Sequence, residues 1–149
     1  MTRAPADAIC QFVPPFMRFL RDGLSELNMS PARFQILQAL TESGALTMIA
    51  LADRLSVTKR NVTTLVDGLE KEGLAGRHPH PTDRRATLVE LTEAGADAFV
   101  RAADVQRAHL SGLLEDLDPA QQDAMTRALN QLTEAIATRR QQAQKTRAG

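Results

Sequence analysis

The stretch from Leu46 to Leu91 constrains the fold of this 149-residue chain more than any other part of it. It contains two short helical patterns that meet at a tight turn, Ser56-Val57. The second pattern places apolar residues at positions i, i+3, i+4 and i+7, so one stripe of that helix must be buried. These residues are Val62, Leu65, Val66 and Leu69. The first helix is expected to bury Ile49, Ala52 and Leu55. Thr47 and Thr58 are the expected N-caps of the two helices.

Two strand-like runs follow the second helix, from Leu74 to His78 and from Ala86 to Leu91. The proline-rich segment 79–83 predicts a loop between them, and Asp83-Arg84-Arg85 stands at its tip. Helix, turn, helix and strand pair in this order are typical of a winged helix-turn-helix. The sequence therefore predicts a mainly α fold with a small β-wing.

Helical patterns flank this segment on both sides. Apolar residues three and four apart predict a helix over residues 5–27, and Pro14-Pro15 predicts either a kink in it or a helix that begins at Pro14. Further helices are expected to begin at Ser30-Pro31, Thr92 and Asp118. The apolar stripes at both ends exceed what one small winged module can bury. This favours a homodimer over a monomer whose end helices pack only on themselves.

Four segments follow from this order of elements. Residues 1–29 are predicted as an N-terminal dimerisation helix and residues 30–91 as the winged helix-turn-helix. Residues 92–140 are predicted as C-terminal dimerisation helices. The polar, basic end is expected to fray from Arg139, which leaves 141–149 as a flexible basic tail.

Charge is uneven along the chain although its sum is zero. Residues 54–85 hold seven basic and four acidic side chains, a local charge of +3 that suits contact with nucleic acid. No apolar run of about 18 residues and no secretory signal is recognisable, so we expect a cytoplasmic protein without a membrane span. The single cysteine, Cys10, agrees with a reducing compartment.

The side chains that point away from the apolar stripe, and those at the wing tip, are the candidate contacts to double-stranded DNA. Lysine and arginine can reach phosphates or guanine edges, asparagine can pair with adenine, and threonine can contact a thymine methyl. A wing arginine can enter the narrow minor groove. Asp83 is expected to orient Arg85 through a salt bridge. The candidates are Thr58, Lys59, Arg60, Asn61, Thr63, Thr64, Asp83, Arg84 and Arg85. The alternative is a solvated helix face and a polar hairpin tip.

This set of residues resembles the MarR family of bacterial transcriptional regulators. The resemblance is carried by residues 51–57 (LADRLSV), 62–74 (VTTLVDGLEKEGL) and 83–85 (DRR), the last leading to 91–95 (LTEAG). It implies a homodimer with intertwined end helices, bound to a pseudo-palindromic operator. It also implies that Arg85 enters the minor groove and that Asp83 orients it.

Candidate effector residues lie in the flanking helices. Some members of that family sense peroxides through a cysteine in the first helix with tyrosine partners, so Cys10 is a redox candidate, although this chain has no tyrosine. Other members bind aromatic carboxylates between the dimer helices and the DNA-binding lobe. Here Arg18, Arg21 and Phe34 are the candidates for such a pocket. An incidental cysteine and solvated arginines are the simpler alternatives.

The histidines give no metal site. His78 and His80 are expected to share one strand face, but zinc would need two more ligands, so surface histidines are the better interpretation. His109 is expected to pack or to face solvent. No cofactor is predicted.

These observations predict a dimeric, sequence-specific DNA-binding regulator, expected to act as a repressor that responds to a small ligand or an oxidant. The alternative is a winged-helix module that docks protein without sequence-specific DNA binding. An enzyme is not indicated, since the sequence shows no glycine-rich phosphate loop, no nucleophile with an evident base and no carboxylate pair in a plausible cleft.

Overall fold

A computed structural model of the chain describes residues 4–147, most of them helical. The elements are α1 (Pro5–Leu24), a 3₁₀ turn (Ser25–Leu27), α2 (Pro31–Ser43), β1 (Leu46–Thr47), α3 (Met48–Leu55), α4 (Lys59–Lys71), β2 (Ala75–Pro79), β3 (Thr87–Leu91), α5 (Glu93–Leu114) and α6 (Pro119–Arg147). The predicted mainly α fold with a small wing is confirmed. The chain divides into two compact units between His109 and Leu110, inside α5.

Side-chain caps begin most of these helices, as the sequence predicts. In each case a side-chain oxygen accepts a hydrogen bond of 2.9 to 3.2 Å from the main-chain N–H three residues on, which satisfies a donor that the helix leaves unpaired. At α6 the cap is reciprocal, since Gln121 accepts from the Asp118 amide at 2.9 Å. The capping residues are Ser30, Thr47, Thr58, Thr92 and Asp118.

The core lies among α2, α3, α4 and β3. Its largest fully buried side chains are Leu24, Ile36, Leu37, Leu51, Val62, Val66, Leu69 and Val89. The predicted stripe of α4 is confirmed, with Leu65 partly buried at its edge. The predicted burial of Ile49 is wrong, because this side chain is 62% exposed. Met48 and Leu51 are buried instead, since the buried face of α3 begins one residue earlier.

The wing belongs to a three-stranded antiparallel sheet in the order β1-β3-β2. Both predicted strands are present, each beginning one residue later than expected. Pro79 pairs with Thr87 at the end of β2. Proline is tolerated there because β2 is an edge strand that needs no further donor. The two-residue β1, which pairs Leu46 with Val89, is too short to leave a sequence signal.

Long helices lie at both ends of the chain. A start at Pro14 is wrong, because α1 is one helix from Pro5 to Leu24 with Pro14 and Pro15 inside it. Pro5 stands in its first turn, where a missing amide proton costs nothing. At the other end, α6 continues to Arg147 through glutamine, alanine and lysine, all good helix formers, and the fraying of this segment stays a prediction. Residues 148 and 149 of the predicted tail lie outside the described residues.

The start of α5 is locked against the turn between α4 and β2. The Thr92 hydroxyl donates to the Gly73 carbonyl at 2.6 Å, and the Thr92 amide donates to the Leu74 carbonyl at 3.2 Å. A Cβ atom built on Gly95 would lie 1.8 Å from the Leu74 carbonyl oxygen. Only glycine allows so close an approach of two backbones. This contact holds the base of the wing against α5.

Replacing Gly95 with alanine is therefore expected to lower the free energy of unfolding by about 1–3 kcal/mol or more, through overpacking against backbone. Gly68→Ala is the matched control, because a Cβ there meets nothing within 4 Å. That change is expected to raise stability by about 0.5–1 kcal/mol, as alanine does in a helix interior. Urea titration followed by circular dichroism measures both. Equal stability of the two variants would contradict the backbone contact.

Candidate nucleic-acid interface

The polar face of α4 is fixed by burial of the opposite face. Val62, Val66 and Leu69 are fully buried. At 100° per residue, Arg60 and Thr64 then lie on the side opposite this stripe, with Asn61 beside Thr64, while Lys59 lies nearer the stripe in the first turn. All of these polar side chains are exposed, and Thr63 is half-buried at the margin. These polar side chains lie in the first two turns of the helix. The Thr58 cap and the free backbone amides at this end also favour the binding of an anion.

The two threonines of this face are oriented by their own helix. The Thr63 hydroxyl donates to the Lys59 carbonyl at 2.9 Å, and the Thr64 hydroxyl donates to the Arg60 carbonyl at 3.2 Å. Each hydroxyl proton is therefore already used inside the helix. The groups left for a partner are a methyl group and the remaining oxygen lone pairs. This suits contact with a thymine methyl better than donation to a phosphate.

At the wing tip, Asp83 holds backbone and not the arginine side chain. Its carboxylate accepts a hydrogen bond from the Arg85 amide at 2.9 Å, and its carbonyl accepts from the Ala86 amide at 3.1 Å. The predicted salt bridge to the Arg85 guanidinium is wrong, since no such ion pair is found among residues 4–147. An aspartate two residues before an amide forms this local turn readily. Asp83 thus orients Arg85 through its main chain.

The basic residues of this part of the chain fall into two groups. Arg33, Arg54 and Arg77 each form ion pairs with carboxylates. In contrast, the four cations among the candidate DNA contacts, on α4 and at the wing tip, have no carboxylate within 4 Å in the described part of the chain. These four are Lys59, Arg60, Arg84 and Arg85. Their charge is not neutralised within the chain and is available to an anion.

Arg77 ties the wing to α4. From β2 its guanidinium donates to Asp67 at 2.5 Å and to Glu70, both on α4. Burial lowers the pKa of Arg77, but the hydrogen bonds and charges of the two carboxylates raise the pKa by more, so the net direction is upward. The group stays charged and couples strand to helix. The sequence did not reveal this pair of contacts, because only the packing of β2 beside α4 brings the three residues together.

The effector candidates are not brought into one pocket. Cys10 and Arg18 are exposed on α1. Phe34 is buried in the core with its ring centroid 5.3 Å from that of Phe99. Arg21 lines an open cavity of about 340 Å³ together with Arg33, whose Nε is buried without a hydrogen-bond partner among residues 4–147. Of the three predicted ligand residues, therefore, only Arg21 lines this cavity.

The histidines occupy three different settings. The predicted shared strand face of His78 and His80 is wrong, because β2 ends at Pro79 and His80 lies in the loop. His78 lies 3.7 Å from a Glu90 oxygen. His109 packs, with its ring stacked on Phe19 at 3.8 Å. Within the described range 4–147, no group of three potential ligands is arranged to hold a metal ion, and no helix has the length and apolarity to cross a membrane.

Together the fold and this surface define a winged helix-turn-helix protein of the kind found in transcriptional regulators. The sequence profile of the MarR family matches residues 29–87. YfiV of Bacillus subtilis (strain 168), described as an uncharacterised HTH-type transcriptional regulator, is 31% identical over 111 residues, which are 74% of this chain and 69% of YfiV. The chain belongs to the MarR family.

Solved structures agree with this assignment. The transcriptional regulator BldR from Sulfolobus solfataricus superposes with a TM-score of 0.74 at 29% identity, covering 87% of this chain and 92% of that one. A mutant MarR from Escherichia coli in complex with operator DNA gives a TM-score of 0.72 at 25% identity, covering 87% of this chain and 94% of that one. The protein is thus a transcriptional regulator with a winged-helix DNA-binding fold.

Proposed function

We propose that this protein is a dimeric, sequence-specific repressor that binds a pseudo-palindromic operator and is released by a small ligand or an oxidant. The observation that carries the proposal is the set of unpaired cations at the start of α4 and at the wing tip, on a fold whose other arginines in the winged region are neutralised by carboxylates. The operator complex of the MarR relative supports it. We assign the chain no catalytic role, and we place it in the cytoplasm with its DNA.

In this proposal α4 lies in the major groove with its first two turns against the bases. Arg60 and Asn61 have side chains long enough to read guanine or adenine edges, while Lys59 neutralises phosphate. Thr63 and Thr64 contribute methyl groups, as their internal hydrogen bonds favour. The Thr58 end of the helix faces a phosphate. Arg84 and Arg85 reach the backbone and the neighbouring minor groove, where a narrow groove attracts guanidinium groups.

Replacing Arg85 with alanine is expected to weaken operator binding about 10- to 100-fold, and Arg60→Ala to do the same with relaxed base preference. Lys71→Ala is the matched control, because it removes the same charge from the same helix roughly 16 Å further along its axis than Arg60. It is expected to change affinity less than about twofold. Fluorescence anisotropy with a duplex from upstream of the protein's own gene, repeated at several salt concentrations, measures affinity and the number of phosphates neutralised.

Unchanged binding by Arg85→Ala would remove the wing from the interface. The alternative function, a winged-helix module that docks protein, makes a different prediction. In that case the wild-type protein would show neither retention on heparin nor a salt-dependent shift of random duplex DNA.

Dimerisation is proposed from the apolar side chains that the helices leave exposed. Four exposed residues lie on α1, namely Ile9, Phe12, Val13 and Met17. On α6, Leu129, Leu132 and Ile136 are three and four residues apart and are each about half exposed. Apolar stripes of this length on surface helices mark a partner surface. We propose that the segments 1–29 and 92–140 form the dimer and set the two α4 helices one turn of DNA apart, about 34 Å.

An aspartate at Leu132 is expected to dissociate the dimer, since a charge in an apolar seam costs several kcal/mol when it has no partner. Gln131→Asp is the control, because residue 131 lies on the other side of α6. Light scattering after gel filtration gives the mass, and circular dichroism shows that helicity is kept. A dimer that survives Leu132→Asp at micromolar concentration would contradict a seam on this face of α6.

The effector is proposed to be a small aromatic carboxylate. The support is the cavity beside the 3₁₀ turn, which is lined by Arg21 and Arg33, because a guanidinium fits a carboxylate. Such a ligand can release DNA only by binding one conformation of the dimer better than the other. Cys10, exposed on α1, is the candidate for a response to oxidant.

A matching carboxylate is expected to raise the melting temperature of the wild-type protein and to lower its affinity for operator DNA. Both effects are expected to disappear in Arg21→Ala and to persist in Arg18→Ala, because Arg18 does not line this cavity. Thermal shift assays with phenolic acids, antibiotics and metal ions supply the screen. A ligand that acts equally on the two variants binds elsewhere.

A further inference from the structure

We propose that His80 is a positioning residue of the wing: its imidazole ring holds the turn that presents Arg85 to DNA. The proposal rests on the DNA-binding function proposed above and adds a residue that the DNA contacts themselves do not include. It follows from how the loop between β2 and β3, residues 80–86, is held together. Nothing in this loop belongs to the strand ladder, so its shape depends on local hydrogen bonds.

The ring nitrogen Nδ1 of His80 gathers the donors of the turn. It accepts a hydrogen bond from the Asp83 amide at 3.1 Å and lies 3.3 Å from the Thr82 amide nitrogen. The Thr82 hydroxyl lies 3.4 Å from the same atom. Main-chain amides can only donate. Nδ1 therefore acts as a hydrogen-bond acceptor in this turn.

The next contacts continue from Asp83 to Arg85. Asp83, held through its amide by His80, accepts from the Arg85 amide with its carboxylate at 2.9 Å. The Ala86 amide donates to the Asp83 carbonyl, and the His80 amide donates to the Ala86 carbonyl, each at 3.1 Å. The bonds form a closed set that begins and ends at His80. Arg85 is thus oriented by Asp83, and Asp83 by His80.

Proline makes the ring more important for this turn. Pro81 has no amide proton to offer, and it restricts the residue before it to extended conformations. The side chain of His80 is half-buried, in contrast to the exposed Pro81, Thr82, Asp83, Arg84 and Arg85 around it. The tip has no apolar burial to hold it. Without the acceptor at Nδ1, the free loop samples more conformations, and DNA binding must then bear the entropy of ordering it.

A positioning role differs from direct contact in a measurable way. If His80 acts only through Arg85, its loss has no further effect once the Arg85 side chain is gone. If His80 instead touches a phosphate, the two losses add. The proposal also requires that the side chain at position 80 supply a hydrogen-bond acceptor, whereas an aromatic ring alone is not sufficient. Asparagine can accept an amide two residues on, as in an Asx turn, whereas phenylalanine keeps the ring and lacks the acceptor.

The test uses full-length protein and the duplex that the wild-type protein selects from a random library. His80→Ala and His80→Phe are expected to weaken binding about five- to tenfold through lost preorganisation. His80→Asn is expected to stay within about twofold of wild type. The double variant His80→Ala, Arg85→Ala is expected to bind as Arg85→Ala does. Melting temperatures of all variants are expected to stay close to that of wild type, because the loop buries no core.

Amide hydrogen exchange without DNA gives a readout that does not depend on binding. Exchange at Asp83 and Arg85 is expected to accelerate in His80→Ala and His80→Phe, and to stay slow in His80→Asn. Unchanged exchange, wild-type affinity of His80→Phe, or additive losses in the double variant would each overturn the positioning role. If Arg85→Ala binds as wild type does, the proposed function of the wing fails, and the exchange data still decide whether His80 orders the loop.

Discussion

The burial of one face of α4 is the constraint on which the candidate interface depends. Val62, Val66 and Leu69 have no exposure to solvent, and full burial of an aliphatic side chain of this size contributes about 1.5–3 kcal/mol. This fixes the rotation of the helix about its axis. Because the helical period is 3.6 residues, the opposite face is fixed with it, and Arg60 and Thr64 have to face away from the core. The core therefore decides which residues of α4 are presented to solvent.

The contacts that hold the wing become weaker and more polar from its base, next to the core, to its tip. At its base, Gly95 lies against the Leu74 carbonyl, and Arg77 joins β2 to two carboxylates of α4. At its tip, the hydrogen bonds run only between exposed or half-buried groups, and each contributes about 0.5–1.5 kcal/mol. The two halves of the interface thus differ in kind. The polar face of α4 is preformed by the core, whereas the tip depends on local turns such as the one at His80.

Local sequence rules recovered the elements that local chemistry specifies. The caps at Thr47 and Thr58 and the stripe of α4 each depend on residues within one or two turns, so they are readable without a fold. Contacts between distant segments were not readable. The pairing of Arg77 with α4 needs the packing of β2, and the two-residue β1 exists only because β3 lies beside it. The burial of Ile49 was wrongly predicted for the same reason. In an eight-residue helix more than one face can be the buried one, and the neighbouring elements decide which it is.

The contact between α2 and the end of α4 shows how the α1 region is joined to α4. Arg33 donates to the Asn28 carbonyl at 3.0 Å, just after the 3₁₀ turn that ends the α1 region, and to Glu72 at 2.5 Å, directly after α4. Its side chain is only 14% exposed, so the pair is screened less than a surface pair would be. Two separate nitrogens of one guanidinium thus connect the residue after the 3₁₀ turn with the residue after α4. The α1 region and the end of α4 are therefore linked by a direct polar contact in addition to the apolar core.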